Sequence, residues 1–429
     1  MTISTPKHVV ILGGSFAGLT AAYELKRELG DRVQVTVIDR NDQFVFIPSL
    51  IWVPFGWRTP EQISFPLKKA VERKGAEFRQ AIARKINPEN QTVEVSPTGD
   101  PNQIETIGYD YLLIATGPHV QFDVVPGLGP HGGHTVSICN AEHAMQAKEA
   151  WEKFLKDPGP VIVGATQGSA CYGAAYEFVF NLEYALRKAK MRDQVKVIYV
   201  TSEPFPGHFG IGGLKHAQGM TEWFFRHVKI DWVLNAVMEK VTPGEVHFRA
   251  GQLHHATDEK KVDDLAGKSL PFKYAMVIPP FLGVEVVRAA GLGNERGFVV
   301  TDDYFRHPKY PNIFAAGVAV AVTPPAPCEA GCSVPKTGYI SEVMAHTAAK
   351  NIAAAIEGRP LTLKPQADID AKCILDAGNQ GIIMYTDRVY APKRRKWQTL
   401  IPGPWAHWAK LAFEKYFLWK MRTGRVNWP

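Results

Sequence analysis

The 429-residue chain has no apolar run long enough to cross a bilayer, which takes about 20 consecutive apolar residues in a helix. That excludes a helical span and leaves a membrane surface as the only bilayer contact to consider. No export signal is legible either: residues 1–7 are few and polar, and an apolar strand follows at once. The cytoplasmic face is therefore the expected side. Cysteine is scarce, with five residues at Cys139, Cys171, Cys328, Cys332 and Cys373. Their wide spacing in a large chain argues against a secreted disulfide scaffold and favours redox or catalytic use of some of them. Cys328 and Cys332 stand in a proline-rich loop without a companion His or Cys cluster, so no metal centre is expected. They are read as structural, a loop-closing disulfide, with a sulfur relay or incidental thiols as alternatives.

An excess of basic charge is also missing from most of the chain. The net +7 belongs to residues 391–429, which hold nine Lys or Arg and one acid, Glu414, leaving 40 basic and 41 acidic residues elsewhere. No nucleic-acid partner is expected. The same tail carries Trp397, Trp405, Trp408, Trp419 and Trp428, half of the ten tryptophans. Bases interleaved with aromatics favour an anionic lipid surface. From Trp405 to Met421, the pattern Trp405, Trp408, Leu411, Ala412, Tyr416 and Trp419 with Lys410, Lys415 and Lys420 predicts an amphipathic helix lying in the interface. The competing interpretation is a core-packing helix with snorkelling lysines.

What is present is a dinucleotide-binding pattern at the start. An apolar run from His8 enters a glycine turn, Gly13-Gly14-Ser15-Phe16-Ala17-Gly18; a helical stretch follows to Leu29, then a strand from Val33 ending on Asp39. Such a turn needs glycine for a tight bend, for close approach to a pyrophosphate and for helix-on-strand packing. Gly13 and Gly18 take the first and third roles, and Ser15 replaces the middle glycine. The helix N-terminus offers N–H groups to the anion. Asp39 is placed to bind a ribose 2′-hydroxyl, with Arg40 next to it. A later strand, Tyr111 to Ile114, runs into Ala115-Thr116-Gly117.

A second unit echoes the first. Gly159 to Gly168 repeats the glycine turn, a helix is predicted over Ala174 to Lys190, and the strand Val195 to Val200 follows. No acid closes that strand, Glu203 arriving slightly late, and Cys171 sits where a phosphate-binding helix begins. A helix N-terminus stabilises a thiolate, so Cys171 reads as an activated thiol and the second unit as unsuited to NADH. The expected fold class is α/β with two Rossmann-like dinucleotide-binding domains, the second inserted in the first. Residues 1–119 and 297–360 would form the first dinucleotide-binding domain and 120–296 the second. Residues 361–429 would supply C-terminal strands and a membrane-associating helix.

Several stretches then resemble a specific family: Val136-Ser-Ile-Cys139-Asn-Ala-Glu-His143, Ser169-Ala-Cys171-Tyr-Gly-Ala-Ala-Tyr-Glu177-Phe, Thr201-Ser-Glu-Pro-Phe-Pro-Gly-His208, Pro335-Lys336-Thr-Gly338, Lys372-Cys373-Ile and Ala412-Phe-Glu-Lys-Tyr416-Phe417. In this order they resemble the bacterial type of sulfide:quinone oxidoreductase, over nearly the whole chain. The resemblance implies FAD as cofactor, contacted by Gly13 to Gly18, Asp39, Arg40, Ala83, Thr116, Gly117, Gly317, Val318 and Lys336. Val318 stands where the wider class has an Asp. The resemblance implies Cys171 and Cys373 as the redox pair. Cys139 matches a third cysteine that in some members is bonded to the FAD, and covalent attachment stays open here. Glu177, His143 and His208 match residues proposed for proton handling. Phe46, Tyr416 and Phe417 match the quinone-pocket region. Hydrogen sulfide and membrane quinone are the implied partners, with a bilayer surface as the setting. Oligomeric state is open.

The alternatives are the flavin subunit of a flavocytochrome c sulfide dehydrogenase, a type II NADH:quinone oxidoreductase and, as a non-enzyme, a flavin-bearing sulfide sensor. The aromatic basic tail disfavours the first. The cysteines and the eroded second turn disfavour the second.

Overall fold

A computed structural model describes residues 6–392 and 397–426. Trp428 and the four consecutive bases at 393–396 lie outside the described residues. The first sheet has seven strands in the order Ile313–Ala315, Tyr111–Ile114, Lys7–Leu12, Val33–Asp39, Glu77–Asn87, Thr92–Pro97 and Glu105–Gly108. The first five pair in parallel, and the last two continue as an antiparallel meander. Val9, Val10, Ile11 and Leu12 are buried on both faces, as a central parallel strand between helical layers requires. Helices Phe16–Leu29 and Gly338–Ile356 pack together on one face. Their buried alanines, Ala21, Ala22, Ala345, Ala348 and Ala349, permit the close approach.

A second sheet takes Tyr274–Ile278, Val161–Ala165, Val197–Val200 and Ile230–Thr242 in parallel, then Glu245–His255 and Asp258–Asp264 antiparallel. Helix Tyr172–Lys188 packs on it. The chain then returns to the first sheet at Ile313–Ala315. A three-stranded antiparallel sheet, Ala371–Asp376, Gly381–Thr386 and Gln398–Gly403, comes last, with helix Pro404–Thr423 against it. Tyr172–Lys188 also touches Ala371–Asp376, so this third layer brings Cys373 to Cys171's helix.

The structure corrects some sequence expectations. The helix after the first turn begins at Phe16, and the one predicted over Ala174–Lys190 spans Tyr172–Lys188. The strand at Gln398–Gly403 carries no strong alternation and was not expected. His254 and His255 end a strand. His254 stacks on Trp232 and His255 pairs with Asp263.

Candidate functional site

The first glycine turn fits a dinucleotide. A Cβ at Gly13, where φ is +107°, would overlap the carbonyl of Ala115, and one at Gly18 would overlap that of Gly13. The turn therefore lies directly against Ala115-Thr116-Gly117, with the helix seated tightly on the strand. Ser15 is the N-cap of Phe16–Leu29 and its side chain makes no capping bond, which leaves its hydroxyl to a phosphate. The Asp39 carboxylate accepts from Gly14 N at 2.7 Å and from Asn41 N at 2.8 Å, so it stiffens the turn at the place expected for the ribose. The carbonyl of Arg40 holds Thr98, its side chain lying exposed. Ala83 sits at a bulge in Glu77–Asn87. Gly317, at φ +74°, lies against Ala17. Val318 contributes its carbonyl: Lys336 Nζ donates to it at 3.0 Å, to that of Val320 at 2.6 Å, and rests 3.7 Å from the Phe298 ring centroid. Burial, helped by the Arg296 charge, lowers the Lys336 pKa to about 7. No carboxylate pairs with it in the structure described, which fits a site for anionic charge on a bound flavin.

The second turn is closed to a pyrophosphate. Gly168 N–H donates to the carbonyl of Gly331 at 2.7 Å, and Ser333 N–H to that of Ser169 at 2.9 Å. The loop holding Cys328 and Cys332 thus lies across the turn and occupies the Gly168 N–H, a donor a nicotinamide dinucleotide would use. Glu203 is fully buried instead of facing a ribose. It accepts from Tyr176 Oη at 2.7 Å, Thr201 Oγ1 at 2.8 Å and Phe209 N at 2.6 Å. Burial raises its pKa to about 7, with Tyr176 and Thr201 opposing.

Cys139, Cys171 and Cys373 are free thiols, with Cys171 within electrostatic reach of each of the other two: charge on Cys139 raises the Cys171 pKa, and charge on Cys171 raises that of Cys373. The expectation of an activated thiolate at Cys171 fails in this state. Burial pushes Cys171 up to about 12, with Cys139 and Glu177 adding to it. The helix N-terminus is outweighed, because removing a thiolate from water costs more than one exposed-range dipole interaction returns. Cys139 rises to about 11 and Cys373 to about 12, again mainly through burial. The disulfide present joins Cys328 and Cys332 instead. His208 lies beside it, Nδ1 being 3.6 Å from Cys328 Sγ. The two sulfurs and a His208 nitrogen lie within 4.8 Å of one another, a grouping the sequence spacing did not reveal.

Below the thiols runs a buried polar chain. Glu177 meets Lys410 Nζ at 2.9 Å and accepts from Asp376 N at 2.9 Å. Asp376 accepts from Trp52 Nε1 at 3.0 Å and meets His407 Nδ1 at 2.7 Å. Burial raises the Glu177 pKa to about 7; Lys410 opposes this and Asp376 adds to it. Burial alone would lower the Lys410 pKa, but Glu177, Cys373 and Asp376 together raise it. His143 is elsewhere: its ring touches His131 Nε2 at 2.9 Å and Phe122, and burial lowers its pKa.

Lys410, Asp376, His407 and Trp52 were missed by sequence reasoning. Lys410 and Lys420 were assigned to the lipid-facing side of the last helix. Both are buried, Lys420 against Glu342 at 2.8 Å. The face turned to solvent is Trp405, Trp408, Ala412, Lys415, Trp419 and Arg422. Of the expected quinone residues, Phe46 and Phe417 meet with ring centroids 5.1 Å apart, joined by Phe16 and Phe413. Tyr416 lies outside that cluster, against Trp419.

This architecture defines a two-dinucleotide-domain reductase, and residues 7–348 match the family described as pyridine nucleotide-disulphide oxidoreductase. The chain is 36% identical over 425 residues to the sulfide-quinone reductase of Aquifex aeolicus (strain VF5), covering 98% of this chain and 92% of that one. A crystal structure of sulfide:quinone oxidoreductase from Aquifex aeolicus superposes with a TM-score of 0.86 at 35% identity, over 97% of this chain and 92% of that one. The mitochondrial sulfide:quinone oxidoreductase of Mus musculus is 23% identical over 316 residues, 72% of this chain and 64% of that protein. The chain belongs to the pyridine nucleotide-disulphide oxidoreductases and, within them, to the sulfide:quinone oxidoreductase family.

Proposed function

We propose that Cys171 and Cys373 are the redox pair of an FAD-dependent sulfide:quinone oxidoreductase, which oxidises sulfide and delivers two electrons to membrane quinone. The observation that carries this is the gathering of Cys139, Cys171 and Cys373 over the Glu177–Lys410 pair, beside a second glycine turn closed to nicotinamide. In the oxidised enzyme Cys171 and Cys373 form a bridge. Sulfide attacks one sulfur, giving a persulfide on that cysteine, while the electron pair of the broken bond leaves on the other. Bound FAD supplies the two-electron acceptor. The first glycine turn, Asp39, the Thr116-Gly117 segment, Gly317 and Lys336 are the residues that would hold it. Glu177, with a pKa of about 7, gives and takes protons at neutral pH, and Lys410 orients its carboxylate. Phe46 and Phe417 mark the apolar approach for the quinone ring. The exposed Trp405, Trp408 and Trp419, with Lys415 and Arg422, rest on an anionic lipid surface on the cytoplasmic face.

The test follows flavin bleaching in the purified holoenzyme mixed with sulfide and a soluble quinone. Cys171→Ala and Cys373→Ala are expected to abolish sulfide-dependent bleaching and retain FAD. Bleaching by NADH but not by sulfide would overturn the assignment.

A further inference from the structure

We propose that the Cys328–Cys332 disulfide is a second sulfide-accepting site, at which the persulfide forms on Cys328 with His208 as its base. The inference rests on sulfide being the substrate, but not on the Cys171–Cys373 assignment. Both cysteines are only partly buried, so the bond is within reach of a small solute. The loop is not free to drift: it is fastened to the Cys171 turn through Gly168 N to Gly331 O and Ser333 N to Ser169 O, and Ser202 Oγ also donates to Gly331 O at 2.9 Å. Any sulfide drawn to the Cys171 turn is thus brought to this bond as well.

The surroundings of the two sulfurs differ, and the difference assigns their roles. Cys328 Sγ faces His208 Nδ1 at 3.6 Å. That nitrogen also accepts the Gly210 N–H at 3.2 Å, which makes it the unprotonated, basic nitrogen of a neutral imidazole. Cys332 Sγ, which carries no hydrogen in the disulfide, instead has the Ser202 carbonyl at 3.9 Å, placed to accept an S–H once the bond is broken. In the step, hydrogen sulfide gives one proton to His208 Nδ1 as its sulfur bonds to Cys328 Sγ. The Cys328–Cys332 bond breaks and its electron pair leaves on Cys332 Sγ. His208 passes the proton to Cys332, whose S–H then donates to Ser202 O. The balance is one hydrogen sulfide plus one disulfide giving one Cys328 persulfide and one Cys332 thiol. The sulfide sulfur is oxidised and the disulfide reduced, with no outside electron acceptor. Attack of Cys332 on the inner sulfur reverses the step, so the bond holds sulfur reversibly in the loop fastened to the Gly168–Ser169 turn.

The experiment uses the FAD-bound Cys171→Ala/Cys373→Ala double variant, anaerobic, treated with sodium sulfide, trapped with iodoacetamide and read by peptide mass spectrometry. The expected product carries an alkylated persulfide at Cys328 and a plain alkylated thiol at Cys332. Adding His208→Gln is expected to slow adduct formation at neutral pH at least about tenfold, and to slow it less at alkaline pH, where sulfide is already ionised. An intact bridge after sulfide, or the extra sulfur on Cys332, overturns the proposal, and neither readout depends on the His208 variant. An undiminished rate in His208→Gln with FAD retained overturns the base assignment and with it the proposal. Flavin bleaching by sulfide in the double variant would instead sink the Cys171–Cys373 pair, so the two failures are distinct.

Discussion

Lys410 Nζ stands 2.9 Å from the Glu177 carboxylate, and both side chains are buried. They come from helices far apart in the chain, Tyr172–Lys188 and Pro404–Thr423. Removing one partner strands a buried charge, which typically costs about 3–5 kcal/mol. Lys410→Met is expected to lower the unfolding free energy of the holoenzyme, read from urea denaturation, by that order, and Lys410→Met/Glu177→Gln to recover part of the loss. A double variant no more stable than Lys410→Met would mean the pair is not coupled as drawn.

Glu203 gives a pH signature. Its pKa is raised from 4.5 to about 7, mainly by burial, so the folded state holds a proton that the unfolded chain releases. Its contribution is fully present below about pH 4.5 and is lost as pH rises through 7. Over that window it amounts to about 3 kcal/mol. Glu203→Gln keeps an acceptor for Phe209 N–H, and the Tyr176 and Thr201 hydroxyls can rotate to accept from the amide. The variant should show a flatter decline of unfolding free energy with pH than the parent. Parallel profiles would contradict the assignment.

Gly18 tests the nucleotide turn. A Cβ there would overlap the Gly13 carbonyl, and both backbones are held by the strand and helix they join. Gly18→Ala is expected to yield protein with little or no bound FAD, read from flavin absorbance per chain. Gly108→Ala, at the end of the outer strand Glu105–Gly108, where a Cβ meets nothing within 4 Å, should retain far more.

Membrane contact should follow exposure and not charge alone. Trp405 and Trp408 are 55% and 68% exposed. Trp405→Ala/Trp408→Ala is expected to weaken co-sedimentation with anionic vesicles by about tenfold or more, with the unfolding midpoint unchanged. Lys415→Gln should cost less, about 1 kcal/mol of binding. Vesicle binding unchanged in the Trp variant would move the contact elsewhere.

Much of the frame is readable from local pattern. The run His8 to Gly18, the acid at Asp39 and the Ala-Thr-Gly after Ile114 all follow from short-range rules: strand burial, glycine geometry and spacing. The last helix was legible as a helix for the same reason. Which of its faces was inside was not, because Lys410 and Lys420 look like surface residues until Glu177 and Glu342 are brought to them. The pairing of cysteines was equally hidden. Spacing cannot say that the loop of Cys328 and Cys332 folds over the second glycine turn, nor that His208 arrives beside it.

Residue order alone therefore determined a dinucleotide turn, a decayed second copy and an aromatic, basic end, since each is a property of neighbours in sequence. Tertiary structure decided the rest. Packing Ala371–Asp376 and Pro404–Thr423 against Tyr172–Lys188 takes Glu177 and Lys410 out of water and partly buries Cys171 and Cys373 beside them. That desolvation raises the thiol pKa values that a helix N-terminus by itself would lower, and it turns a lysine expected at the lipid surface into the partner of a buried acid.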